Sequence, residues 1–275
     1  MEARPPGAQA FVRHNAAILW PFRERLVQPI VLIPARMEST RLPGKPLADI
    51  AGEPMIVHVW RRASEAAIGP VVVAAAESEI VEAIEHAGGR AMLTRPDHSS
   101  GSDRIFEALS LLDPGRRYDV IVNVQGDLPL IDPNAIRAAL EPLTNPACDI
   151  ATIAAPIADP AELADPNVVK VAADFRDGMR IAAARLFGRT VASDAGSQYH
   201  HIGLYAYRRA ALERFVKLPL SAREKSARLE QLRAVDDGMR IDVALVDAVP
   251  FGVDTPADLE RARALMRARQ APRPR

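Results

Sequence analysis

The sequence predicts an α/β protein built on a mostly parallel open sheet with helices on both faces. Three observations carry this reading. Short apolar runs rich in β-branched residues alternate with segments of helical spacing along the first half of the chain. Those runs are apolar throughout instead of alternating with polar residues, as strands buried on both faces are. The helical segments begin and end on recognisable signals, among them Asp132-Pro133 at one start and Gly88-Gly89 at one stop.

Taken in order, residues 30–35 form the first buried strand and 55–67 the first helix. Residues 71–75 form a strand, 80–86 a helix closed by Gly88 and Gly89, and 91–93 a short strand. A helix over 102–112 places Ile105, Leu109 and Leu112 on one face. Residues 120–124 make another buried strand. A helix over 132–143 opens on Asp132 as N-cap with Pro133 at its first position. From 150 to 207 the pattern changes: 150–155, 168–173 and 202–207 read as strands with less helix between them. This region, about 150–210, is expected to extend the sheet and build a lid or dimer-contact lobe. A helix over 222–233, a strand over 241–246 and a closing helix over 255–266 complete one domain, 29–266. Residues 1–28 read as a poorly ordered extension in which 20–26 could pack on the domain, and 267–275 as a basic, solvated tail.

Composition narrows the function. The 275 residues are 48% hydrophobic and 25% charged, enough for a sizeable core. Formal net charge is zero, without the basic excess of a general nucleic-acid binder. Cys148 is the single cysteine, so no intrachain disulfide forms; it reads as a small buried apolar residue. No apolar run approaches the roughly 18 residues that span a bilayer, and no signal peptide is evident. A cytoplasmic protein is expected.

The chemistry concentrates in two places. The first strand runs into Arg36-Met37-Glu38-Ser39-Thr40-Arg41-Leu42-Pro43-Gly44-Lys45. Ligands of open α/β sheets sit beyond the carboxyl ends of strands. Three cations, interleaved hydroxyls and a Gly-Lys pair in a proline-stiffened loop suit a triphosphate, although the GxxxxGK[ST] spacing is absent. The strand at 120–124 runs into Gln125-Gly126-Asp127, and Asp254 precedes the last helix. If the two segments approach each other, these carboxylates form a hard-oxygen site suited to Mg²⁺. An N-cap role is the local alternative for Asp254, and a turn role for Asp127.

These residues, with longer motifs in the same order, resemble the 3-deoxy-manno-octulosonate cytidylyltransferase (CMP-KDO synthetase) family. The motifs are IPARMESTRLPGKPLADIAGEPMIVHV from Ile33, TRPDHSSGSDR from Thr94, VNVQGD from Val122, NVVK from Asn167, HIGLYAYR from His201, LEQLR from Leu229 and GVDTPADLE from Gly252. The resemblance implies a nucleotide-diphospho-sugar-transferase-like fold, a homodimer, CTP as donor and Mg²⁺ as cofactor. It implies nucleotide binding by Ala35, Arg36, Ser39, Arg41, Lys45, Arg95, His98, Ser100, Gly101 and Gln125. The stretch 98–104 falls to the base. Lys45, Arg41, Asp127 and Asp254 take the catalytic positions, the two aspartates as metal ligands. Arg185, His201, Tyr205, Glu230 and Gln231 match acceptor positions.

The sequence also departs from the family pattern. Leu128 stands where an acid is usual, Ala182-Ala183-Ala184 precede Arg185 in place of hydrogen-bonding residues, and the loop up to His200 is short. Leaving sugar hydroxyls unpaired costs about 1–3 kcal/mol each. Those departures therefore predict a smaller, denser anion as acceptor, a phosphonate such as phosphonoformate from an antibiotic pathway. CMP-KDO synthesis for lipopolysaccharide is the alternative, and a non-catalytic nucleotide-binding relative the alternative of another class.

Overall fold

A computed structural model describes residues 27–176, 178–191 and 196–270. Its elements are β1 (Pro29–Ala35), β2 (Asp49–Ile50), β3 (Glu53–Pro54), α1 (Met55–Glu65), β4 (Val71–Ala75), α2 (Ser78–His86), β5 (Ala91–Leu93), α3 (Gly101–Leu112), β6 (Val120–Asn123) and α4 (Pro133–Ala138). Then follow β7 (Ile150–Pro156), α5 (Ala161–Ala164), β8 (Lys170–Ala173), β9 (Ile181–Gly188), β10 (Gln198–Arg208), α6 (Arg209–Phe215), α7 (Ala222–Ala227), α8 (Gln231–Asp236), β11 (Ile241–Leu245) and α9 (Pro256–Gln270).

The apolar run of β1 serves two cores at once, because successive side chains point to opposite faces. Val31, Ile33 and Ala35 join α1, α2 and α4 on one face. Ile30 and Leu32 join α3, α6 and α8 on the other. The α/β class and the helices on both faces are therefore as the sequence predicts.

Strand directions divide the nine-stranded sheet, whose order is β5-β4-β1-β6-β10-β7-β11-β9-β8. The first four strands are parallel. Beyond β6 the pairings are antiparallel except for β7 with β11. The first residues of β10 also pair with β8, Gln198 opposite Ala172 and His200 opposite Lys170. Strands β10, β7, β11, β9 and β8 thus close on one another; all but β11 come from the region 150–210.

The elements differ from expectation for local reasons. The helix predicted over 132–143 stops at Ala138, and Glu141–Thr144 is a separate 3₁₀ turn. Pro142 lacks the N–H to continue the ladder, and its ring would meet the carbonyl of Ala138. The helix predicted over 222–233 is two helices, broken at Arg228 with φ of 54°. The break lets Arg233 turn back onto Glu224, Nη2 to Oε1 at 2.6 Å and Nε to Oε2 at 2.9 Å, in a buried pair. In a continuous helix, residues nine apart lie on opposite faces and about 13 Å apart along the axis. Residues 267–270, assigned to a solvated tail, continue α9. The extension over 1–26 and the end over 271–275 lie outside the described residues. No helix among the described residues is long and apolar enough to cross a membrane.

Candidate active site

The loop after β1 folds back on itself. Gly44, at φ of 72°, donates its N–H to the Met37 carbonyl (3.0 Å), and Lys45 donates to Leu42 (3.1 Å). The positive φ suits glycine, and the reversal starts the 3₁₀ turn Lys45–Leu47. Lys45 Nζ is thereby delivered to Asp127 Oδ2 at 2.9 Å and to Asp254 Oδ1 at 3.1 Å. Arg41 Nη2 lies 3.0 Å from Asp254 Oδ2. Burial works against the charge of Lys45, but the carboxylates of Asp127 and Asp254 outweigh it, and the lysine pKa is raised.

The two aspartates converge through the backbone. Val253 donates its N–H to the Asp127 carbonyl at 2.9 Å, which ties the segment before α9 to the turn after β6. Gly126 permits that turn to cross the end of β1: a Cβ there would stand 2.7 Å from the Pro34 carbonyl oxygen. Asp254 is not the cap of α9. Thr255 and Asp258 cap it reciprocally, Thr255 N to Asp258 Oδ2 at 2.9 Å and Asp258 N to Thr255 Oγ1 at 3.2 Å. The Asp254 carboxylate is thus left to the site, and the local alternative weighed for it falls away.

These groups border an open cavity of about 400 Å³. Arg36, Ser39, Arg41 and Lys45 line it together with His98, Ser100 and Gly101, and with Ala35, Gln125, Asp127 and Asp254. The N-terminus of α3 opens on the cavity and favours a negatively charged ligand there. Ser100 caps that helix, its Oγ accepting the Asp103 N–H at 3.1 Å. Arg95 is the exception among the expected nucleotide residues. It does not line the cavity, and its exposed side chain lies 3.6 Å from Asp97. Arg104 lines the cavity from within α3, buried to 2% exposure.

The carboxylates of Asp127 and Asp254 fit a magnesium ion. Both present an oxygen to one point, now taken by the lysine ammonium, and Mg²⁺ accepts one or two carboxylates with phosphate and water completing its shell. Among the described residues no group of three or more potential ligands occurs. Such a site depends on oxygens brought by the substrate.

Of the residues expected to bind an acceptor, His201, Tyr205, Glu230 and Gln231 fall into a second, more buried cluster. Ser102, next to Gly101, donates its Oγ to Glu230 Oε2 at 3.1 Å. Burial raises the pKa of Glu230, with hydrogen bonds from Ser100 and Ser102 opposing it. Burial also raises the phenol pKa of Tyr205, reinforced by neighbouring Tyr207 and Glu230. His201 bonds Thr152 Oγ1 through Nε2 at 3.0 Å and packs its ring against Phe187 and Tyr205. Burial, with some help from His200, drives the His201 pKa down to about 3, so its imidazole is neutral near pH 7. Three buried polar atoms in this region have no partner: Glu230 Oε1, Gln231 Nε2 and Asn123 Oδ1.

Arg185 is not brought to this cluster. It is exposed on β9 and paired with Asp174, Nη1 to Oδ2 at 2.8 Å. Sequence reasoning passed over Asn123, although an asparagine inside the apolar run Val120–Asn123 is itself a signal. It also passed over Glu107, which no motif contains.

Fixed cations facing two convergent carboxylates, beyond the carboxyl ends of a parallel sheet, define a nucleotidyltransferase-type site. A cytidylyltransferase family model matches residues 30–241. The 3-deoxy-manno-octulosonate cytidylyltransferase of Paramagnetospirillum magneticum is 60% identical over 241 residues, covering 87% of this chain and 98% of that protein. The protein of the same name from Bradyrhizobium sp. is 61% identical over 237 residues, covering 86% and 96%. A solved structure of CMP:2-keto-3-deoxy-manno-octonic acid synthetase in complex with CTP superposes with a TM-score of 0.79 at 39% identity, covering 88% of this chain and 99% of that one. The chain belongs to the CMP-KDO synthetase family of cytidylyltransferases.

Proposed function

We propose that this cytidylyltransferase transfers CMP from CTP to 3-deoxy-manno-octulosonate and releases pyrophosphate, with Mg²⁺ held by Asp127 and Asp254. The observation that carries the acceptor is the buried polar cluster. Glu230 Oε1, Gln231 Nε2 and Asn123 Oδ1 lack partners, and a hydroxyl-rich acceptor supplies them. A buried carboxylate accepts hydrogen bonds from hydroxyls and repels a dense anion, so Glu230 argues against a phosphonate.

The departures that suggested a phosphonate have structural explanations. Leu128 is buried in the core beneath the site and stands 3.6 Å from where a side chain at Gly252 would begin. Ala182 and Ala183 lie in β9, opposite Val243 and Asp242 of β11. Neither feature belongs to the lining of the cavity. The relatives matched at 60% and 61% identity are named for the octulosonate, which weighs on the same side.

In this reading Arg36, Ser39 and Arg41 grip the triphosphate, and Lys45 leaves the carboxylates for phosphate oxygens. Asp127 and Asp254 would hold the Mg²⁺, which would supply charge neutralisation at the reacting phosphates and ease loss of the proton from the attacking hydroxyl. Glu230, Gln231, Tyr205 and neutral His201 hold the acceptor so that one hydroxyl oxygen lies in line with the α-phosphorus. That oxygen bonds to the α-phosphorus as the bridging bond to the β-phosphate breaks. Pyrophosphate leaves with the electron pair, and the hydroxyl proton passes to water. Incubating the protein with CTP, Mg²⁺ and 3-deoxy-manno-octulosonate should give pyrophosphate and the CMP-linked sugar in equal amounts by mass spectrometry. Pyrophosphate release independent of the sugar would overturn the proposal.

A further inference from the structure

Glu107 lies outside every motif of the cavity, yet two residues of the loop between β5 and α3 end on it. Its Oε2 accepts the backbone N–H of Arg95 at 3.0 Å and also meets His98 Nε2. Three residues earlier on the same helix face, Arg104 Nη1 donates to Thr94 Oγ1 at 2.7 Å and to the Arg95 carbonyl at 3.0 Å. Its Nη2 reaches the Pro96 carbonyl at 3.4 Å. Thr94 is tied in turn to the end of β4, its N–H and its hydroxyl both donating to the Ala75 carbonyl, at 2.8 and 2.9 Å. The loop is thus anchored to the sheet at one end and to two α3 side chains along its length. Its far end supplies His98, Ser99 and Ser100 to the lining of the cavity that the cationic loop also borders.

We propose that Glu107 and Arg104 are positioning residues for nucleotide recognition, fixing the 94–100 loop as a rigid wall whose placement sets the preference for a pyrimidine over a purine nucleotide. This rests on the cavity being the CTP site. A wall ordered before the ligand arrives adds no ordering cost to binding, and a wall that cannot give way admits a larger base less readily. A wall released from α3 binds CTP more weakly and discriminates less. Glu107 does not line the cavity, so the chemical step stays intact when it is changed.

The test compares Glu107→Ala, Glu107→Gln and Arg104→Lys with the unchanged protein. Steady-state kinetics are measured with CTP and with ATP, CTP affinity by calorimetry, and thermal melting alongside. Glu107→Ala should raise KM for CTP about ten-fold with kcat within about two-fold and acceptor KM unchanged. The ratio of kcat/KM for CTP over ATP should fall. Glu107→Gln keeps an acceptor for the Arg95 N–H and should recover part of the loss. Arg104→Lys should act in the same direction if it melts normally. Unchanged CTP affinity in Glu107→Ala overturns the inference, as does a parallel loss of kcat and acceptor affinity with a lowered melting temperature. If the unchanged protein fails to bind CTP in calorimetry, the reading of the cavity itself fails.

Discussion

The two halves of the sheet build their sites in opposite ways. The nucleotide-side groups sit mainly in loops at the ends of parallel strands, after β1, β5 and β6, joined by Asp254 from the segment before α9. On the antiparallel side, His201 and Tyr205 come from inside β10, Glu230 and Gln231 from the start of α8, and Ser102 from α3. The first site is open, cationic and rich in ion pairs, with Arg41, Lys45, Asp127 and Asp254 in one chain of contacts. The second is buried and short of partners. A loop site holds charge for a ligand that brings charge. A buried polar cluster keeps its hydrogen bonds for a ligand that brings hydroxyls.

The largest expected effect tests the charged half. Asp127→Asn and Asp254→Asn should each lower kcat about 10³-fold while changing the dissociation constant for CTP less than about ten-fold, because they serve charge at the reacting phosphate. Stopped-assay kinetics with calorimetric CTP titration separate the two quantities. Near-normal turnover in both variants would remove them from the chemistry.

Lys45 sharpens the same point. Two carboxylates with one lysine and one arginine form a neutral group, so a free divalent cation gains little by entering. Lys45→Met should cost about 10²-fold in kcat. The same variant should bind Mn²⁺ about ten-fold more tightly without nucleotide, read by electron paramagnetic resonance. Unaltered Mn²⁺ affinity would mean that the lysine does not compete with the metal.

The acceptor half should respond separately. Glu230→Gln should lower kcat/KM for the acceptor about ten-fold and leave KM for CTP unchanged, measured by varying each substrate in turn. Equal losses for both substrates would mean that the two sites are not distinct, and the Ser102 link would be the place to look.

A smaller effect concerns the seam between the halves. Asp113, at the end of α3, accepts from Arg209 Nη1 at 2.6 Å at the start of α6, and from the backbone N–H groups of Arg117 and Tyr118 at 3.0 Å. Burial raises its pKa, but those hydrogen bonds outweigh it and bring the pKa from 3.8 to about 2. A depressed carboxyl stabilises the fold above its ordinary pKa and loses that contribution as pH falls through the folded value. Asp113→Asn should therefore cost about 2 kcal/mol at pH 7 in urea denaturation, with the gap closing between about pH 4 and pH 2. A gap independent of pH would assign the loss to packing.

Legibility in the sequence follows the same division. The β1, β4 and β6 strands and the loops after them were readable, since a buried parallel strand is a continuous apolar run and its ligand loop follows at once. The convergence of Asp127 and Asp254 could only be posed as a condition; the bond from Val253 to Asp127 that meets it spans nearly half the chain. Strand β9 went unread because Ala182–Ala184 have weak strand propensity and its pairing with β11 is what fixes it. Arg185 was assigned by its match to a family acceptor position, and its ion pair with Asp174 depends on a neighbouring segment that no local pattern reveals. The phosphonate expectation drew on a similarly local pattern: Ala182 and Ala183, counted as an emptied pocket, pair with Val243 and Asp242 of β11, and the relatives' names favour the octulosonate.

The most direct test sets the two acceptors side by side. Under saturating CTP and Mg²⁺, kcat/KM is measured for 3-deoxy-manno-octulosonate and for phosphonoformate with the same preparation. A buried, partner-seeking cluster around Glu230 predicts the higher value for the octulosonate; a higher value for phosphonoformate would contradict it.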